Sequence, residues 1–247
     1  MEKQVCSSQG KIVVITGAGR GIGRRCAQAF AAEGARVVLV SRTEVEMGAT
    51  AKLILEETPT AHVLIHPGDI SLEHTAVQLF EHVASAWGPI DILVNNARIA
   101  RVIPLKELDL SDWREVMDTN CTGPFLLTRE LFRQCQRLGR GGTITNVASL
   151  SGIRGVQKFP GFSAYIASKF GVVGLTESSA LEGKPLGIRV NCVAPGAVNT
   201  QMLKEVAPHL KAGSNADDIA HAILFLSNDI LAKKITGSIL EIHSNAE

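Results

Sequence analysis

Residues 11–23 read KIVVITGAGRGIG, a short apolar run that passes directly into a glycine-rich turn and then into a helical pattern. A continuous apolar run of this length indicates a strand buried on both faces. Glycines let the backbone approach a bound group closely, and the N terminus of a helix attracts anions. The segment predicts a strand, a pyrophosphate-binding turn and a helix, and a glycine turn without a ligand is the alternative.

The same alternation of β-branched runs and helical patterns continues to the end of the chain. Strand–helix alternation with right-handed crossovers predicts an α/β fold, a doubly wound parallel sheet of about seven strands with helices on both faces. We predict strands at 12–16, 36–40, 62–66, 90–94, 143–147, 188–193 and 238–242, and helices at about 22–33, 44–57, 72–87 with Ser71 as N-cap, 112–137, 163–181 and 216–227.

Size and composition limit the classes of protein to consider. The 247 residues are 45% hydrophobic and show no linker or repeat, which favours one domain over 1–247. A net charge of +1 does not favour a nucleic-acid partner or an anionic membrane surface. No apolar run approaches the ~18 residues of a membrane span, and residues 1–10 lack the apolar core of a signal peptide. Five cysteines without a C-x-x-C pair indicate reduced thiols in a cytoplasmic protein and no metal site: Cys6, Cys26, Cys121, Cys135 and Cys192.

Tyr165 and Lys169 lie four residues apart and therefore on one face of the predicted helix. A free tyrosine hydroxyl has a pKa of about 10. A neighbouring ammonium favours the phenolate, so such a pair can act as a general acid/base. On a surface helix the same spacing also describes a solvated pair. The glycine turn, and Ser149 at the end of a predicted strand, favour the catalytic interpretation.

The second predicted strand is followed by Ser41 and Arg42. In nicotinamide-binding folds an acidic residue near this place binds the ribose 2′-hydroxyl. A guanidinium can instead bind a 2′-phosphate, and Arg20 within the glycine turn is a second candidate. These residues favour NADP(H), with NAD(H) as the alternative because Glu44 lies close by. Arg42 as a solvated loop residue is the interpretation without a ligand.

Seven motifs, in order along the chain, together resemble the short-chain dehydrogenase/reductase family over nearly the whole length. They are Thr16–Gly23, Asp69-Ile70, Asn95-Asn96-Ala97, Asn120, Ser149, Tyr165 with Lys169, and Pro195-Gly196 with Thr200. Within the family the pattern is most similar to the 3-oxoacyl-[acyl-carrier-protein] reductases. The resemblance implies a Rossmann-type fold and a homotetramer built partly on the helices at 112–137 and 163–181.

The resemblance also implies catalytic roles. Tyr165 would exchange a proton with the substrate oxygen, and Lys169 would favour the phenolate and bind the nicotinamide ribose. Ser149 would hold the substrate oxygen, and Asn120 would support a water leading towards Lys169. Ser151 is a rival for Ser149, but the family spacing S-x-x-G favours Ser149.

A larger set of residues is implied to contact the cofactor. Asp69 would contact the adenine, although it could simply cap a turn, and Pro195-Gly196 could be only a turn at the end of a strand. Asn120 could likewise be an ordinary helix-bend asparagine. The cofactor-binding set is Gly17, Arg20, Gly21, Ile22, Gly23, Ser41, Arg42, Asp69, Ile70, Asn95, Ala97, Tyr165, Lys169, Pro195, Gly196, Val198 and Thr200.

Three features depart from the family pattern. Arg98 follows Asn95-Asn96-Ala97 where glycine is usual, and it could strain the loop, point outward or touch the cofactor. The segment 152–163 is long and is expected to form one wall of a substrate pocket. The segment 201–214 is short for a substrate lid, which indicates an open pocket.

The function expected from these residues is NADPH-dependent reduction of a carbonyl substrate, either a 3-oxoacyl thioester or another ketone. An NAD(P)-dependent alcohol, sugar or steroid dehydrogenase is the first alternative. A dinucleotide-binding regulator without turnover is the second, and Arg98 is its only support.

Overall fold

The structure is a computed structural model that describes residues 8–243. Cys6 lies outside this range. Seven strands form one parallel sheet, which confirms the expected fold class. The strands are β1 Ile12–Thr16, β2 Arg36–Ser41, β3 His62–Pro67, β4 Ile92–Asn95, β5 Gly142–Val147, β6 Ile188–Pro195 and β7 Ile239–Ile242.

The strand order β3-β2-β1-β4-β5-β6-β7 places the functional site. The chain runs outward from β1 to β3 and then returns to β4 on the other side of β1. The order therefore reverses between β1 and β4, where Val13 is paired with Ile92 and Ile15 with Val94. In an open parallel sheet a crevice forms at such a reversal, beyond the carboxyl ends of the strands.

Helices cover both faces of this sheet. They are α1 Gly21–Ala32, α2 Glu44–Glu57, α3 Glu73–Ala86, α4 Leu110–Met117, α5 Gly123–Leu138, α6 Ser163–Gly183, α7 Gln201–Val206 and α8 Ala216–Ser227. Most bounds agree with the sequence prediction to within two residues. The short helix α7 was not predicted.

The core has two layers because β1 is apolar on both faces. Val13 and Ile15 pack with Phe30 of α1 and Ile223 of α8 on one side. Val14 packs on the other side, in a cluster with buried residues of α3, α5 and β4. Burial on both faces explains why the strands are continuous apolar runs rather than alternating ones.

Two local differences from the sequence prediction have clear physical causes. The N-cap of α3 is Leu72 and not Ser71. The Ser71 hydroxyl and backbone N–H both donate to Asp69 Oδ1, at 2.7 and 3.0 Å, so Ser71 belongs to the preceding turn. The predicted helix at 112–137 begins at Leu110 and is interrupted by a π-helical turn, Asp118–Thr122.

None of the helices within residues 8–243 is both long and apolar enough to cross a membrane. The four cysteines in this range are free thiols. Burial raises the pKa of the Cys26 and Cys192 thiols to about 12, so both remain protonated and act as apolar side chains. Within the same residues no cluster of three or more metal-ligating side chains occurs.

Candidate active site

The turn between β1 and α1 brings backbone unusually close to backbone. Gly17 and Gly21 have φ angles of +64° and +56°, in the region that glycine adopts most easily. A Cβ atom on Gly23 would lie 2.2 Å from the carbonyl oxygen of Gly17. The α1 N-cap residue Arg20 makes no side-chain capping bond, so the N–H groups of the first turn are available to an anion.

Asn96 holds this turn against the end of β4. Its Nδ2 donates to the carbonyl oxygens of Thr16 and Gly17, at 2.8 and 3.3 Å. Thr16 Oγ1 accepts from the backbone N–H groups of Asn96 and Ala97, both at 3.0 Å. These bonds fix the two loops that flank the crevice.

Asn95 lies elsewhere than the sequence analysis expected. It is buried, and its Nδ2 donates to Asn146 Oδ1 on β5 at 2.9 Å. Because successive side chains of a strand point to opposite faces, Asn96 and not Asn95 reaches the crevice. The side chain of Asn96, and not that of Asn95, therefore lines the cleft.

A first cleft runs over the carboxyl ends of β1, β2 and β4. It contains most of the residues predicted to bind the adenosine half of a cofactor. Its lining includes Gly17, Arg20, Gly21, Ile22, Ser41, Arg42, Asp69, Ile70, Ala97 and Thr200, together with Gly19, Thr43, Glu46, Gly68, Asn96, Arg98, Ile99, Thr119, Gln201 and Met202, which the sequence analysis did not assign to the cofactor.

Charged side chains of both signs lie at the β2 end of this cleft. Arg42 is exposed and forms no salt bridge with any residue in the range 8–243. Arg20 pairs loosely with Glu205 of α7, at 3.7 Å. Glu46 lines the cleft as well, and a Cβ on Gly19 would lie 3.0 Å from its Oε2. Glu44, the residue that left the cofactor preference open in the sequence, is outside the lining.

A second cavity adjoins the first and contains Ser149 and Tyr165. Residues of the long 152–163 segment form part of its wall, as expected, and α7 with the following loop forms another. The lining includes Ile22, Arg98, Ala148, Ser149, Leu150, Val156, Gln157, Phe159, Phe162, Tyr165, Pro195, Gly196, Val198, Thr200, Met202, Leu203, Val206, Leu210, Lys211 and His243.

Ser149 and Tyr165 come together from separate elements. Ser149 follows β5, and its Oγ accepts the backbone N–H of Ser151 at 3.1 Å. Tyr165 lies in the first turn of α6, with its ring edge-on to Phe162 at 6.1 Å between centroids. Both side chains line one cavity.

Lys169 lies behind Tyr165 and is 1% exposed. Its Nζ donates to the carbonyl oxygen of Val147 at 2.8 Å and lies 5.7 Å from the centroid of the Tyr165 ring. Burial, together with the smaller effect of the positive charge of Arg98, lowers the pKa of Lys169 to about 7. A lysine near its midpoint at neutral pH can give up and take back a proton.

Asn120 lies in the π-helical turn and is fully buried. Its side chain exchanges two hydrogen bonds with the backbone of Ile99, at 2.8 and 2.9 Å, and donates to Ser168 Oγ at 3.0 Å. Ser168 precedes Lys169, so Asn120 connects the loop after β4 to α6. A π-helical turn at this point is typical of functional sites.

The burial of Lys169 predicts a pH-dependent stability. In the unfolded chain its pKa is 10.5, and in the folded protein it is about 7. The stability associated with neutral Lys169 is therefore complete above pH 10.5 and is lost as the pH falls through about 7. We expect the free energy of unfolding of Lys169→Met, minus that of wild type, to be largest at low pH and to decrease as the pH rises.

Denaturant unfolding of both proteins at about pH 6 and about pH 9 measures this difference. The lost hydrogen bond to Val147 contributes equally at the two pH values. Lys106→Met, at a position whose side chain is 84% exposed, is the matched control and should show no such trend. A difference between Lys169→Met and wild type that does not change with pH would contradict the lowered pKa.

Comparison with known proteins agrees with this geometry. A family model described as short chain dehydrogenase matches residues 11–211. The chain belongs to the short-chain dehydrogenase/reductase family. Members of this family are NAD(P)-dependent oxidoreductases, so the protein is an enzyme of that class. Two features fit such a dinucleotide. Gly23 leaves no room for a Cβ atom, and the N terminus of α1 has no side-chain cap.

Individual family members match along almost their whole length. The 3-oxoacyl-[acyl-carrier-protein] reductase FabG of Aquifex aeolicus is 34% identical, with 95% of this chain and 96% of that protein covered. The short chain dehydrogenase/reductase astE of Aspergillus oryzae is 33% identical, with 98% and 97% covered.

Solved structures of family members share the fold. Levodione reductase has a TM-score of 0.88 and 32% identity, with 96% of this chain and 97% of that chain covered. A short-chain dehydrogenase/reductase from Mycobacterium marinum has a TM-score of 0.90 and 30% identity, with 97% and 96% covered.

Several predicted residues act by supporting the site rather than by lining it. Gly23 lies beneath the turn, and Lys169 and Asn120 are buried behind the cavity. Asp69, in contrast, lines the cleft and also accepts two hydrogen bonds from Ser71. Asn96 and Glu46 line the cleft but were not predicted from the sequence. The doubled asparagine was the only signal for Asn96, and nothing local distinguishes Glu46 from Glu44.

Proposed function

We propose that this enzyme reduces a ketone with NADPH, and that Tyr165 is the general acid. One observation carries this proposal. Tyr165 and Ser149 line the same cavity, with Lys169 buried behind the phenol, and this cavity opens into the dinucleotide cleft. The reacting carbonyl can therefore meet a hydride donor from one side and two hydroxyl groups from another.

In this proposal the residues that line the dinucleotide cleft would hold NADPH, which would supply the hydride that the carbonyl carbon needs. Ser149 donates a hydrogen bond to the carbonyl oxygen and stabilises the negative charge that develops there. Tyr165 transfers its phenolic proton to that oxygen, which gives the alcohol and leaves a phenolate. Lys169 stabilises the phenolate and returns a proton to it, and Asn120 keeps the catalytic helix in place for this transfer.

The cavity lining favours a substrate with an apolar portion. Phe159, Phe162, Leu203 and Leu210 are among its walls, and no carboxylate side chain is among them within residues 8–243. Together with the similarity to the Aquifex aeolicus reductase, this supports a 3-oxoacyl thioester or another ketone as the substrate class.

A screen of NADPH oxidation against a panel of ketones that includes an acetoacetyl thioester tests the reaction. We expect turnover on at least one apolar ketone. NADPH binding without turnover on any panel member would contradict the proposed reaction and favour a regulator that only binds the dinucleotide.

The preference for NADP(H) rests on Arg42, which is free to pair with a 2′-phosphate, with Arg20 nearby. We expect Arg42→Gln to weaken NADPH binding about 10-fold or more, since a charge-assisted bond to the phosphate is lost, and to leave NADH binding unchanged. Nicotinamide fluorescence titration measures both affinities. Arg137→Gln, exposed and outside the cleft, is the control. Equal losses of affinity for NADPH and NADH would show that Arg42 does not bind the 2′-phosphate.

Glu46 supports a second candidate, an NAD-dependent alcohol, sugar or steroid dehydrogenase. Its carboxylate lies against the glycine turn, where it would repel a phosphate and could accept a bond from a ribose hydroxyl. Tighter binding of NADH than of NADPH to the wild type would favour this candidate.

We also propose a cytoplasmic homotetramer. Free thiols at all four cysteines within residues 8–243 fit a reducing compartment. Large apolar side chains are exposed along α4, α5 and α6, among them Leu110, Phe125 and Leu181. Such exposure on packed helices is typical of subunit interfaces. Sedimentation at several concentrations would measure the oligomeric state.

A further inference from the structure

Arg98 lies at the border between the dinucleotide cleft and the catalytic cavity, and it lines both. Three further residues share this border: Ile22, Thr200 and Met202. Ile22 belongs to the first turn of α1, so Arg98 borders the same passage as the N terminus of that helix. Two of the outcomes that the sequence left open for Arg98 are therefore removed. The residue does not point away from the site, and no non-glycine residue of the described chain has a positive φ, so the loop is not strained there.

Few groups of the protein compensate the positive charge of the Arg98 guanidinium. The side chain is partly buried, and its hydrogen bond to Asn96 Oδ1 is long, at 3.4 Å. Among residues 8–243 no carboxylate lies within salt-bridge distance of it. The positive charge of Arg98 also acts on Lys169 and lowers the pKa of that residue. A partly desolvated cation without a partner is stabilised when an anion binds beside it.

A dinucleotide that joins the two pockets must place its centre at this border. Its adenosine half belongs beside Arg42 and Asp69, and its nicotinamide belongs beside Tyr165. The diphosphate is the link between these halves and carries the negative charges of the linker. It therefore passes the residues that line both pockets.

We propose that the Arg98 guanidinium binds the diphosphate of the cofactor, and acts together with the N–H groups of the α1 N terminus. A guanidinium offers parallel N–H donors that match two phosphate oxygens. The inference rests on the dinucleotide site of the proposed function, and it does not depend on the substrate. A glycine at this position would offer no side chain for such a contact.

The experiment compares ligands that contain the diphosphate with one that lacks it. NADPH binding is followed by nicotinamide fluorescence, and ADP-ribose 2′-phosphate and adenosine 2′-monophosphate binding by calorimetry. We expect Arg98→Gln to weaken binding of the first two ligands about 10- to 100-fold, the range of a charge-assisted pair. Arg98→Lys should lose less affinity for these two ligands, because lysine keeps the positive charge but lacks the paired N–H donors. Binding of adenosine 2′-monophosphate should not change.

Other results would overturn the inference. Equal weakening for all three ligands would indicate a structural role, and thermal unfolding of each variant checks for such an effect directly. Unchanged or tighter NADPH binding by Arg98→Gln and Arg98→Gly would show that the side chain only obstructs the passage. Diphosphate-dependent losses in an enzyme that turns over no ketone would contradict the proposed reaction and leave this inference standing.

Discussion

Tyr165→Phe is expected to lower kcat by about 10²- to 10⁴-fold, the usual contribution of a positioned general acid. The substitution removes only the hydroxyl, so the ring keeps its edge-on contact with Phe162 and its position in the first turn of α6. The carbonyl oxygen would then have Ser149 as its remaining hydroxyl partner in the cavity. Steady-state turnover of the best ketone from the panel measures the effect.

Two further measurements make this result interpretable. The thermal unfolding midpoint of Tyr165→Phe should equal that of wild type, since the core is unchanged. Ser149→Ala should also slow turnover, because the hydrogen bond that stabilises the developing oxyanion is lost. Full activity in Tyr165→Phe would refute the assignment of the general acid.

The second large effect is expected at Gly23, where the turn and the first helix touch. A methyl group there would lie 2.2 Å from the carbonyl oxygen of Gly17 and 2.6 Å from Asn96 Nδ2. Because the first neighbour is backbone, the turn itself must move. We expect Gly23→Ala to destabilise the protein by about 3 kcal/mol, the upper end of measured overpacking costs. That corresponds to a melting temperature lower by roughly 6–12 °C, and NADPH binding should be lost with the turn geometry.

The matched control is Gly48→Ala, in the exposed part of α2. A Cβ on Gly48 would have no neighbour within 4 Å, and the residue lies inside a helix of 14 residues. Alanine is favoured over glycine in a helix interior by about 0.5–1 kcal/mol, so this variant should be slightly more stable than wild type. Thermal unfolding and NADPH titration of both variants decide the matter. Similar behaviour of the two would mean that close packing at Gly23 is not essential.

Much of the site could be predicted because its signals are local. The apolar run Ile12–Thr16, the glycines after it and the four-residue spacing of Tyr165 and Lys169 each lie within a few residues of chain. The similarity of these motifs to one family supplied the remaining roles. The errors arose where the answer depended on a neighbour distant in sequence. Asn95 was expected at the cofactor cleft, but its Nδ2 donates to Asn146 Oδ1 on β5, 51 residues further along the chain.

The sequence by itself determined the alternation of strands and helices, the parallel sheet and the position of the anion-binding turn, because hydrophobic periodicity and glycine conformations are properties of short segments. Only the tertiary structure decided that Asn96 rather than Asn95 faces the cleft, that Lys169 is buried at the end of β5, and that Arg98 stands between two pockets. These outcomes depend on which loops the strand order brings to one edge of the sheet. Segments more than a hundred residues apart in the chain come into contact there, and no local sequence pattern predicts these contacts.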